Sequence, residues 1–122
     1  MIRLVPPTKI ELRPTETMGM GVFANSLIKV GDVVEDCWTI DLPNDTEVDV
    51  LPDYRFHYPA RALEYELLVL LTGMGMMYNH SDTPNVVWNN HPSIDYAFRF
   101  TAIRDIQIGE QCFIYYGNTE HP

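Results

Sequence analysis

The sequence predicts a β-rich α+β domain, and three observations lead there. Short runs of β-branched and aromatic residues recur along the chain, and Gly, Pro, Asn and Asp cluster between them. A single stretch, "ARALEYELLVLL", joins strong helix formers to repeated leucines and predicts one main helix. The 122 residues show no break in composition, so one domain over residues 1–122 is the simplest organisation. With 46% hydrophobic and 11% aromatic residues the chain can build an ordinary core, which excludes a disordered tail or linker.

The N-terminal "MIRLVPPTK" lacks the apolar stretch of a signal peptide, and no run of about 18 apolar residues occurs. A soluble, intracellular protein without a membrane partner is expected. Strands follow at "GVFA" (21–24) and "VVEDCWTI" (33–40), separated by the turn "VGD". From Asp41 to Pro59, three prolines and many acids predict an irregular excursion. The helix is expected over 60–71, with Leu63, Leu67, Leu68, Leu70 and Leu71 on its apolar face and Gly73 and Gly75 ending it. In "MMYNHSDTPNVVW" a polar, turn-rich hexapeptide lies between apolar flanks. In "DYAFRFTAIRDI", Tyr96, Phe98, Phe100 and Ala102 alternate with Ala97, Arg99 and Thr101, the period of a half-buried strand. "IGEQ" reads as a turn and "CFIYYG" as a last short strand.

The net charge of −9 is unevenly spread. Glu35, Asp36, Asp41, Asp45, Glu47, Asp49 and Asp53 fall within one span, and no Lys or Arg occurs from Val30 through Tyr54. Such a field repels nucleic acid and suits a basic peptide, unless it is only a solvated loop. Cys37 and Cys112 are too few for a disulfide framework or a four-thiolate zinc site. The four histidines show no i, i+4 pairing, so no metal is expected.

In "TMGMGVFANSL", Gly19, Gly21 and Ala24 form G-x-G-x-x-A, the dinucleotide-binding fingerprint. Its context is wrong. The preceding "KIELRPTET" is polar rather than an apolar parallel strand, and the following "NSLIKVGDVVEDC" carries Gly31 and β-branched residues where a helix should run.

Taken in order, "GMGVFA" (19–24), "NHSDTPN" (79–85) and "GEQCFIYYG" (109–117) resemble the SET domain, the family of S-adenosylmethionine-dependent protein lysine methyltransferases. The resemblance spans about residues 8–117 and is strongest at the middle motif; the chain is most similar to the short viral and bacterial single-domain members. It implies a β-clip type fold with a C-terminal pseudoknot, in which Pro84 and Asn85 shape the loop that the C-terminal segment threads. It also implies that Met20, Gly21, Val22 and Phe23 lie along the methionine part of S-adenosylmethionine, with Gly19 and Gly21 serving close approach and unusual φ rather than phosphate binding. By the same resemblance Tyr78, Asn79, His80 and Tyr116 complete the cofactor site, the Asn79 side chain bonding the amino-acid end and His80 backbone groups the adenine.

The family's catalytic tyrosine falls on Tyr116, whose neighbour Tyr115 should face the opposite side. Tyr54, in "DYRFHYP", falls on an aromatic of the substrate side. Ile114 stands where the family commonly carries Phe or Tyr, and with Tyr115 it is expected along the lysine channel; a smaller residue there favours di- or trimethylated product. The resemblance implies transfer of a methyl group to a lysine of a basic partner such as a histone tail. The chain stops at "NTEHP" without the family's cysteine-rich or aromatic C-terminal element, so the excursion at 41–59, a second copy in a homodimer or the substrate is expected to close the channel. The alternatives are a SET-like module that binds cofactor or basic peptide without turnover, and a β-rich interaction domain.

Overall fold

The protein is described by a computed structural model over residues 3–41, 56–58 and 67–116, with side chains described at 3–40 and 71–116. The described residues form nine strands, β1 (Ile10–Pro14), β2 (Met20–Ala24), β3 (Val33–Asp41), β4 (Phe56–Tyr58), β5 (Leu67–Leu71), β6 (Asn79–His80), β7 (Val86–Asn90), β8 (Ala97–Ala102) and β9 (Gln111–Ile114). They form a four-stranded sheet in the order β1-β2-β9-β6 and a five-stranded sheet in the order β4-β5-β3-β8-β7. No helix occurs among the described residues, and none there is long and apolar enough to cross a membrane.

The second half of the expected helix is a strand. Leu67–Leu71 pairs antiparallel with both β3 and β4, Leu70 opposite Ile40 and Leu71 opposite Thr39. Five consecutive apolar residues carry no period, so they suit a doubly flanked strand as well as a helix, and sheet pairing decides. Residues 60–66 lie outside the described residues, as does most of the excursion at 41–59.

β1 arises from the polar "KIELRPTET" for a related reason. It is an edge strand whose only buried side chain is Ile10, so its alternation is too weak to read, and Pro14 is tolerated as its last residue. Its hairpin to β2 turns at Gly19, whose φ of 70° is left-handed, and the Thr15 hydroxyl donates to the Gly19 carbonyl at 2.8 Å. Tyr96 also departs from expectation: it stands just before β8 with a φ of 60° and is 52% exposed, while Phe98, Phe100 and Ala102 alternate inward as predicted.

β3 changes partner along its length, from β8 at Val33–Trp38 to β5 at Thr39–Asp41. A bulge between Val33 and Glu35 breaks strict alternation, and Val34, Glu35, Asp36 and Cys37 are all buried. Glu35 and Asp36 therefore do not belong to an exposed acidic field; Asp45, Glu47, Asp49 and Asp53 lie outside the described residues. Asp36 is paired: Arg99, its partner across β8, donates to it at 2.8 and 3.1 Å, and the Val5 amide at 2.8 Å. Burial on its own pushes the Asp36 carboxyl up, but those bonds and the Arg99 charge outweigh it and hold it below its ordinary value.

Both sheets feed one core, with Val22, Cys112 and Ile114 from the first and Val34, Phe98 and Phe100 from the second. Burial pushes the Cys112 thiol up to about 12, and Cys37 is raised further by burial and the Glu35 carboxylate.

Candidate functional site

The three motifs converge on β9. Its first residues pair antiparallel with β2, Val22 opposite Cys112 and Phe23 opposite Gln111, and its last pair parallel with β6, Asn79 opposite Phe113 and His80 opposite Ile114. Parallel neighbours need a long connection, and here 30 residues (81–110) lie between the end of β6 and the start of β9. Asn85, at the end of the "NHSDTPN" motif, locks that arrangement. Its buried amide donates to the Gln111 carbonyl at 2.9 Å and accepts the Phe113 amide at 2.7 Å, so one side chain replaces a missing strand beside β9. Arg104 holds the same loop through the Thr83 and Pro84 carbonyls.

At one end of this junction Asn79 bridges the first and third motifs. Its Nδ2 donates to the Met20 carbonyl at 3.2 Å and to Gln111 Oε1 at 2.9 Å. Both amide hydrogens are thereby used, and Oδ1 is left to act as an acceptor. Gly21 makes room for the pair: a Cβ there would stand 2.6 Å from Gln111 Oε1 and 3.0 Å from Asn79 Nδ2. The two glycines of the first motif thus have separate reasons, a left-handed turn at Gly19 and close approach at Gly21.

At the other end stand the tyrosines. The Tyr116 hydroxyl donates to the Tyr78 carbonyl at 2.6 Å, and the Tyr116 amide donates to His80 Nδ1 at 3.0 Å. His80 Nδ1 accepts, so its proton sits on Nε2, which donates to Asp82 Oδ1 at 2.9 Å. β9 ends at Ile114, so strand alternation does not carry through Tyr115 and Tyr116; both rings pack against His80, with centroids at 4.9 and 5.1 Å. Tyr78 is buried to 1% exposure and stacked on Phe100 at 4.7 Å, and its hydroxyl donates to Glu35.

The structure therefore brings together Met20, Gly21, Tyr78, Asn79, His80, Tyr115 and Tyr116. Phe23 lies beside them in β2, half-buried, with the Arg13 guanidinium 5.7 Å from its ring. Val22 and Ile114 are fully buried, and their side chains belong to the core cluster rather than to an open channel. Tyr54 and Gly117 lie outside the described residues, as do the five residues after Gly117. Two site residues escape the sequence reading. Gln111 was visible only as a turn residue, and the signal for it is its place two residues after Gly109, facing the glycine-containing strand. Glu35 was hidden among its acidic neighbours, although it alone of them, with Asp36, sits in a run of Val and Cys.

Comparison with known proteins agrees with this convergence. A family model described as SET domain matches residues 19–117. A curated relative, the histone-lysine N-methyltransferase of Schizosaccharomyces pombe described as H3 lysine-37 specific, is 28% identical over 114 residues, covering 89% of this chain and 74% of the relative. Among solved structures, that of a candidate histone methyltransferase from Plasmodium falciparum superposes with a TM-score of 0.74 at 29% identity, covering 91% of this chain and 95% of the other.

Proposed function

The chain belongs to the SET-domain family, and from that premise we propose that it is a protein-lysine N-methyltransferase that uses S-adenosylmethionine and acts on a basic, lysine-bearing segment such as a histone tail. The observation that carries the reading is the Tyr116 hydroxyl held 2.6 Å from the Tyr78 carbonyl, which sets two oxygen atoms side by side next to the Asn79 junction.

The residues present suit such a cofactor. Asn79 Oδ1 is the acceptor that an α-ammonium group requires, because both Asn79 donors are already spent on Met20 and Gln111. Gly21 lets the Asn79 and Gln111 side chains stand against the β2 backbone, which sets that acceptor in place. Bound S-adenosylmethionine would supply an activated methyl group to a neutral amine, leaving S-adenosylhomocysteine.

The chain's own tasks are to orient and to desolvate. Tyr116 and Tyr78 present lone pairs that favour a partly positive methyl through weak C–H···O contacts and hold it in one place. Holding a lysine amine neutral near pH 7 in water costs about 4.6 kcal/mol, and apolar rings that strip water from the ammonium lower that cost. The aromatic trio His80, Tyr115 and Tyr116 is suited to this task. The curated relative's description names histone H3, which makes core histones the first acceptors to try.

Tyr116→Phe tests the assignment. It removes one hydroxyl and leaves the ring, so turnover should fall by at least about a hundredfold, roughly 2.7 kcal/mol, while S-adenosylhomocysteine affinity changes less than threefold. Unchanged turnover would reject Tyr116 as the catalytic tyrosine, and tight cofactor binding without any transfer in the wild type would favour a binding module.

A further inference from the structure

Glu35 carries a carboxylate with no solvent exposure that the proposed reaction does not use. Three donors converge on it: the Tyr78 hydroxyl at 2.6 Å on Oε2, and the Met74 amide at 3.1 Å and Cys37 Sγ at 3.2 Å on Oε1. Two of these belong to the segment joining β5 to β6. That segment also starts against the carboxylate, since a Cβ at Gly73 would lie 2.7 Å from Oε1 and φ there is +66°. The segment ends at Tyr78, whose carbonyl receives the Tyr116 hydroxyl.

Burying a carboxylate is costly unless its bonds are made, and a glutamine could not accept at both terminal atoms. The arrangement therefore does something an apolar side chain would not. It ties the start of one short segment, at Gly73 and Met74, and its end, at Tyr78, to a single point inside the core. We propose that Glu35 is a positioning residue for methyl transfer: by gripping Gly73, Met74 and Tyr78 it holds the Tyr78 carbonyl at the one setting that keeps the Tyr116 hydroxyl in place.

The inference rests on the methyltransferase reading above, and the experiment separates the two. Full-length wild type, E35Q, E35A, Y78F and the double variant E35A/Y78F are assayed for kcat and KM on core histones, each at a temperature where circular dichroism shows it folded. Ile28→Ala, a core truncation at the bridge to Ile106 and outside the three motifs, controls for lost stability. E35A should lose at least tenfold in kcat, with KM for S-adenosylmethionine and affinity for S-adenosylhomocysteine within threefold of wild type. E35Q, which keeps one acceptor oxygen, should recover part of that loss. Y78F, which breaks only the bond to Oε2, should lose part of what E35A loses, and the double variant should be no worse than E35A, because E35A already removes that bond. Ile28→Ala should keep its kcat. An active wild type with unchanged kcat in E35Q and Y78F overturns the role of Glu35, and does so even if E35A fails to fold. A wild type that transfers no methyl group overturns the reading beneath it.

Discussion

At the scale of single residues, Gly21 shows how little space the site leaves. A methyl group there would meet Gln111 Oε1 at 2.6 Å and Asn79 Nδ2 at 3.0 Å, and since both are side-chain ends they would swing aside rather than unfold the strand. Gly21→Ala should therefore weaken S-adenosylhomocysteine binding by about tenfold, or 1.4 kcal/mol, with a small change in Tm; titration calorimetry beside a thermal melt checks both. Glu35 makes a prediction about pH. Burial pushes its carboxyl above the ordinary value of 4.5, and the bonds from Tyr78, Met74 and Cys37 offset only part of that, with the nearby Asp36 charge adding to it. Between 4.5 and the raised native value the native state holds a proton that the unfolded state has released, so stability falls as pH rises through that window. E35Q should flatten this slope in urea unfolding across pH. Asp36 contributes in the opposite direction and in a lower window: its carboxyl is held below 3.8, so its contribution is lost only as pH falls through that range. The two cysteines are buried and raised, Cys112 to about 12, so neither should react with a thiol reagent at pH 8 until the protein is unfolded.

At the scale of elements, an ion pair between Asp36 and Arg99 ties β3 to β8 in addition to their backbone ladder. Arg99 is the bidentate partner of a carboxylate that is otherwise inside, so Arg99→Ala leaves Asp36 charged and buried. A loss of about 3 kcal/mol is expected by chemical denaturation. How far such features were legible in the sequence differs by element. β2 and β8 announce themselves through inward residues at strand spacing, Val22 and Ala24 in one and Phe98, Phe100 and Ala102 in the other, and β3 through its β-branched and aromatic content. β1 does not, with Ile10 its only buried residue, and Leu67–Leu71 is ambiguous because five apolar residues in a row have no period to read. The bulge at Val34 is invisible in composition, and it is what buries Glu35 and Asp36 together. The motif residues Asn79, Asn85 and Tyr116 were legible by resemblance, since their roles depend on backbone junctions that recur with the motif. Gln111 and Glu35 were not, because their importance lies in what they touch across the fold.

At the scale of the whole molecule, one strand joins the three motifs. β9 is antiparallel to β2 on one side and parallel to β6 on the other, so the glycines, the "NHSDTPN" loop and the C-terminal tyrosine meet only once the last strand is seated. Asn85 is the clasp. Asn85→Ala abandons a buried backbone donor and acceptor on β9, and should cost about 2–3 kcal/mol and weaken cofactor binding with it, which distinguishes it from a core truncation of equal cost. The family match over 19–117 spans the three segments that the motifs pick out, and the fold similarity at a TM-score of 0.74 extends over 91% of the chain.

The most direct measurement is intact-mass spectrometry of core histones and basic peptides incubated with S-adenosylmethionine and either the wild-type chain or Tyr116→Phe. Mass steps of one methyl group on lysine with the wild type, nearly absent with the variant, are the expected result. Equal transfer by both proteins, or none by a wild type shown by calorimetry to bind the cofactor, would contradict methyl transfer at Tyr116.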